Sequence, residues 1–90
     1  MMILTYDIVD DTLRSNFSKF ITGYGRRIQY SVYEIENSER YLSIIISEIK
    51  HRFEKRFGQG DSVLIFSIKK EGEILRFGYA KNEELDLVIA

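Results

Sequence analysis

An α+β fold is predicted for this chain of 90 residues, and three observations carry the prediction. Apolar residues recur at helical spacing in two windows, from Leu13 to Tyr24 and from Leu42 to Phe57, each preceded by acids or hydroxyls that can cap a helix. Apolar runs or alternations at 3–8, 27–36, 62–68 and 74–80 lack that spacing and read as strands. Glycines or charged clusters separate these segments, and the 44% apolar and 30% charged composition is that of a globular chain with one thin core.

The first strand takes Ile3 to Ile8, and Asp10, Asp11 and Thr12 after it can cap a helix and favour its positive end. Leu13, Phe17, Phe20, Ile21 and Tyr24 then share one helical stripe, with Gly23 and Gly25 available for a left-handed stop. From Arg27 to Glu36 the period becomes two, but the alternation slips between Val32 and Tyr33. The slip predicts a bulge or sharp bend that divides one long strand into two paired pieces, with Ser31 near the corner. Asn37 or Ser38 begins a second helix whose buried stripe is Leu42, Ile45, Ile46, Ile49, Phe53 and Phe57, stopped by Gly58 and Gly60. Ser62 to Ile68 is a strand, Lys69 to Glu73 a turn region, and Ile74 to Ala80 a further strand.

The order β-α-β-β-α-β is the ferredoxin-like arrangement, in which both helices cover one sheet face and the other face needs a partner. The extra strand after residue 74 carries large apolar side chains that a thin core cannot absorb, so we expect them to be buried on a second subunit of a symmetric dimer. A hairpin folded back on its own sheet is the alternative. Residues 1–80 then form the domain and 81–90 a tail, in which Leu85, Leu87 and Ile89 fall at every second position and suit strand addition onto a partner, with a frayed end or a strand packed within the dimer as the alternative.

Composition excludes several chemistries. With no cysteine and one histidine, thiol nucleophiles, thiolate metal sites and acyl-transfer triads are unsupported. Gly23-Tyr24-Gly25 ends a helix where a phosphate loop would open one. No apolar run approaches the ~20 residues of a membrane span, and the N-terminus lacks the basic segment of a signal peptide, so a cytoplasmic protein is expected. The net charge of −1 gives no bulk attraction for nucleic acid, yet residues 26–56 are net +2 between flanks of −1 and −2. In that middle segment Arg26 and Arg27 stand together at a turn, while Lys50, His51, Arg52, Lys55 and Arg56 read as a solvated helix face. Asp7, at the carboxyl end of the first strand, is the best candidate for chemistry. One carboxylate per chain is sparse for Mg²⁺ unless a two-fold axis doubles it.

Several runs match a known pattern: Tyr6-Asp7-Ile8 closing the first strand, an acidic helix start with Arg14 one turn in, Gly25-Arg26-Arg27-Ile28-Gln29-Tyr30-Ser31-Val32-Tyr33-Glu34, and Asp61-Ser62-Val63-Leu64-Ile65-Phe66. Across roughly residues 2–79 the chain resembles the CRISPR-associated protein 2 family. The resemblance implies a ferredoxin-like homodimer with exchanged last strands and a Mg²⁺-dependent endonuclease site of paired aspartates at the dimer axis, here Asp7, with Mn²⁺ as an alternative ion. It also implies a role in CRISPR spacer acquisition, the dimer sitting between two dimers of the associated integrase and holding the middle of a duplex DNA, with RNA as an alternative substrate for cleavage. By position, Tyr6 flanks the metal aspartate, Arg14, Arg26 and Arg27 are suited to phosphates, and Ser31 and Tyr33 mark the bend near the site, Tyr33 standing where phenylalanine is more usual. Two other readings stay open: a DNA-spacing scaffold without cleavage, and a ferredoxin-like small-ligand regulatory domain.

Overall fold

The computed structural model describes residues 1–68. The fifth strand expected at 74–80, the domain boundary at 80 and the tail residues Leu85, Leu87 and Ile89 lie outside the described residues. Within them the order is β1 (Met2–Asp7), α1 (Asp11–Thr22), β2 (Gly25–Gln29), β3 (Val32–Ile35), α2 (Glu39–Glu48) and β4 (Ser62–Ser67). The strands form one antiparallel sheet in the order β2-β3-β1-β4, with Leu4 opposite both Tyr33 and Ile65. This is the ferredoxin-like topology that the element order implies.

Period two divides β1 between two environments. Met2, Leu4 and Tyr6 point into the layer of helices, where Leu4, Phe17, Ile21, Tyr33, Ile45 and Phe53 are fully enclosed. Phe17 is the hub, its ring meeting Tyr6 edge-on at 5.1 Å and Phe53 at 5.0 Å. Ile3, Thr5 and Asp7 point the other way. There a smaller cluster of Ile3 and Ile28, with Met1, Val32 and Ile68 against it, runs into Leu64 and Phe66, which are 54% and 50% exposed. Ile3 lies directly opposite Phe66 and Thr5 opposite Leu64, so these side chains share one face.

Capping fixes where the helices begin. Asp10 accepts from the Leu13 amide at 2.8 Å and Ser38 from the Tyr41 amide at 3.3 Å, as the sequence predicts for both helices. The exit from α1 differs from the expected left-handed stop, because Gly23 is right-handed with φ of −72°. The last turn tightens instead, through the Gly23 amide to the Phe20 carbonyl and the Tyr24 amide to the Ile21 carbonyl. Gly25 serves close approach. It opens β2 at a point where a Cβ would stand 2.3 Å from the Glu34 carbonyl oxygen.

The predicted division of the long strand is present, with the corner at Tyr30 and Ser31 and the ladder irregularity between Arg27 and Gln29, slightly before the sequence slip. The second helix is less regular than its stripe suggests. It is α-helical to Glu48, then passes through a π turn over Ile49–Phe53 and a 3₁₀ turn over Glu54–Arg56. In a continuous α-helix each four-residue step overshoots a full turn by about 40°. The wider π turn reverses that drift, so Ile45, Ile49 and Phe53 all reach the core. Ile46, assigned to the buried stripe by spacing, is 39% exposed because Ile45 takes the inward position.

Candidate functional site

Asp7 is the last residue of β1 and pairs with Ser62 in the ladder. Parity with Ile3 and Thr5 puts its exposed carboxylate on the sheet face away from the helices. The loop leaving the strand is rigidly held. The Val9 amide donates to Asp61 Oδ1 at 2.8 Å while the Gly58 amide donates to Asp61 Oδ2 at 2.7 Å, tying the loop after β1 to the loop before β4. Those amides, Gly58 first, hold the Asp61 carboxyl below the usual range. Arg14 takes the opposite polarity of the same loop: its Nη1 donates to the Ile8 carbonyl at 3.0 Å and the Val9 carbonyl at 3.2 Å, and its Nη2 pairs with Asp11. Asp61 belongs to a matched run of sequence, but its clamping role needed the fold to bring 9, 58 and 61 together.

A second constellation lies on the helix side of the sheet, where β2 and β3 meet α1. The Tyr33 side chain is fully buried, and its hydroxyl oxygen accepts from Arg27 Nε at 3.1 Å and Nη2 at 2.9 Å and lies 2.8 Å from Ser18 Oγ. Burial pushes the Tyr33 phenol up, but hydrogen bonds from Ser18, Thr22 and Arg27 together bring it below an ordinary tyrosine. Tyr6 stacks against Tyr33 with ring centroids 6.2 Å apart, and there burial prevails and raises the phenol. The Tyr6 hydroxyl also makes a long 3.5 Å contact to the Tyr30 carbonyl, and its amide donates to the Ser31 carbonyl at 3.1 Å. Ser31 therefore acts through its backbone at the corner.

The structure thus gathers Tyr6, Arg27, Ser31 and Tyr33, with Arg14 reaching the same end of the sheet from α1. It separates Arg26 from Arg27. Arg26 turns to the other face, where its Nη2 is 3.8 Å from Glu34 Oε1. The basic residues at 50–56 are exposed, as expected of a solvated face; Arg52 pairs with Glu48 at 3.1 Å and lies 4.6 Å from the Phe53 ring centroid. Sequence reasoning passed over Tyr30, which stands at the corner with 71% exposure and its ring centroid 5.9 Å from the Arg27 guanidinium. In the sequence it reads as one more alternating strand residue. Among the described residues no three His, Cys, Asp or Glu side chains gather as a metal site, and no helix is long and apolar enough to cross a membrane.

The family model for CRISPR associated protein Cas2 matches residues 1–73. A curated relative from Thermus thermophilus, the CRISPR-associated endonuclease Cas2 2, is 32% identical over 76 residues, covering 83% of this chain and 80% of its own. The CRISPR-associated endoribonuclease Cas2 3 of Chloroflexus aurantiacus is 53% identical over 32 residues, a match that spans about a third of its length. In three dimensions the chain is similar to the crystal structure of a hypothetical protein TT1823 from Thermus thermophilus, with a TM-score of 0.67, 28% identity, and coverage of 88% of this chain and 90% of that one. With its sheet order, its Tyr6-Asp7-Ile8 strand end and a family match across most of its length, this chain belongs to the CRISPR-associated Cas2 family.

Proposed function

We propose that this protein is a homodimeric, Mg²⁺-dependent endonuclease that serves in CRISPR spacer acquisition, with Asp7 as its catalytic carboxylate. One observation carries the reading: Asp7 projects from the end of a central strand onto the same sheet face that leaves Leu64 and Phe66 half uncovered. Pairing that face with a second copy would bury the apolar residues and bring a second carboxylate to the same side. The relatives named as endonuclease and endoribonuclease support cleavage of nucleic acid as the chemistry.

The donor set suits a hard cation. Mg²⁺ commonly takes one or two carboxylates and keeps several waters, and an exposed Asp7 from each chain meets that requirement. When bound there, the ion would supply Lewis acidity toward a phosphate oxygen and a more acidic water. The chain's own residues do the rest. Asp61 and Arg14 immobilise the loop after Asp7, so the carboxylate is presented from a fixed strand end. Arg14 and Arg27 offer guanidiniums to phosphates. Docking of the integrase by Leu85, Leu87 and Ile89 belongs to the same reading, as does the holding of duplex DNA.

A holding role without cleavage is the second reading, favoured by the position of Arg14 and Arg27 on the helix side of the sheet while Asp7 faces away. Family membership favours both over a small-ligand regulatory domain. Purified Asp7→Asn separates them. We expect it to lose Mg²⁺-dependent cleavage of single-stranded RNA and duplex DNA while remaining a dimer, since the amide keeps the shape and loses the charge. Undiminished cleavage by the variant contradicts the site, and absence of cleavage by the wild type supports the holding role.

A further inference from the structure

Tyr30 is the most exposed aromatic of the described residues, yet its surroundings are ordered. Its carbonyl is approached by the Tyr6 hydroxyl, and the neighbouring Ser31 carbonyl accepts from the Tyr6 amide, so the corner is fixed to β1. On one side the Arg27 guanidinium lies 5.9 Å from the ring centroid and is itself held by Tyr33 and Ser18. Arg14, pinned to the Ile8 and Val9 carbonyls, interacts with the Tyr30 phenol from α1. A lone exposed tyrosine needs no explanation. A fixed one flanked by two immobilised guanidiniums has the composition of a single-strand nucleic-acid site, in which an aromatic face takes a base and cations take the phosphates beside it.

We propose that Tyr30 is a stacking platform for an unpaired nucleobase, with Arg14 and Arg27 contacting the phosphates of the same strand. The inference rests on the nucleic-acid reading above and goes beyond it by specifying strand state. Bases within a duplex are already stacked on one another and expose only their edges, so a platform at this corner selects single strands or the frayed ends of a duplex. The platform is on the helix side and Asp7 on the opposite face, so Tyr30 governs which strand is retained and takes no part in bond breaking.

Fluorescence anisotropy with a labelled single-stranded oligonucleotide, and with the blunt duplex of the same sequence, tests the platform. Tyr30→Ala is expected to weaken single-strand binding by about 5- to 150-fold, the range for loss of one stacked base. Duplex binding should be unchanged, and Tyr30→Phe should retain wild-type affinity because the ring is kept. Arg27→Ala should lower the salt dependence of single-strand binding by about 0.7 in log–log slope, the contribution of one phosphate contact, whereas Tyr30→Ala should leave the slope alone. Equal affinity of Tyr30→Ala and wild type for the single strand overturns the platform, as does an equal loss for both nucleic acids. A wild type that binds neither form overturns the nucleic-acid reading itself.

Discussion

Two stacked phenols, Tyr6 and Tyr33, are driven in opposite directions by surroundings only 6.2 Å apart. Burial acts on both, but hydrogen bonding with Ser18, Thr22 and Arg27 reverses it for Tyr33. A folded value below the unfolded one adds stability that is full above the unfolded value and lost as pH falls through the folded one. A raised value, as for Tyr6, gives stability that is full below the unfolded value and lost as pH rises through the folded one. Following tyrosinate absorbance against pH, we expect Tyr33→Phe to remove a phenol that ionises below the ordinary tyrosine value, and with it the stability that Tyr33 adds as pH rises through its folded value. The variant should also lose about 1 to 2 kcal/mol at neutral pH in denaturant titrations, because the Arg27 donors lose their acceptor. Asp61 follows the carboxylate rule: its value is depressed by the Gly58 and Val9 amides, so its contribution is present above the ordinary carboxylate range and vanishes as pH falls through the folded value. Asp61→Ala should therefore melt below wild type at neutral pH, the two curves converging in acid; a constant gap across pH contradicts the clamp.

Gly25 holds β2 against β3 at a separation no side chain tolerates, since its Cβ would lie 2.3 Å from the Glu34 carbonyl oxygen and 3.0 Å from the Ile35 Cα. Backbone cannot yield as a flexible side chain does. Gly25→Ala is expected to cost about 1 to 3 kcal/mol, read from chemical denaturation, and a neutral result would mean that the β2–β3 register can slide. At this scale most of the fold was legible in the sequence, because period-two and period-3.6 patterns and the caps Asp10 and Ser38 are local signals. The π turn was not, since a four-residue spacing of Ile45, Ile49 and Phe53 is equally the spacing of an ordinary helix. Gly23 misled for a related reason: a glycine at a helix end suggests the left-handed stop, but the chain re-enters the sheet through a tightened last turn.

Among the described residues the sheet has two unlike faces, one sealed by helices and one on which Ile3, Ile28, Leu64 and Phe66 accompany Asp7. Asp7 was legible as a strand-end carboxylate, and Arg27 and Tyr33 as members of one matched run. Their division between the faces was not, because it depends on strand parity and on the irregularity between Arg27 and Gln29, and neither Tyr30 nor Asp61 acquires meaning until distant segments meet. In the proposed enzyme each chain brings one Asp7 to a site shared by two. Sharing is tested most directly by co-expressing wild type with Asp7→Asn and measuring Mg²⁺-dependent cleavage against the fraction of wild-type chains. With half the chains substituted, a site needing both carboxylates retains about a quarter of full activity, the random share of dimers with two wild-type chains, whereas activity falling only to about half would mean that each Asp7 acts alone.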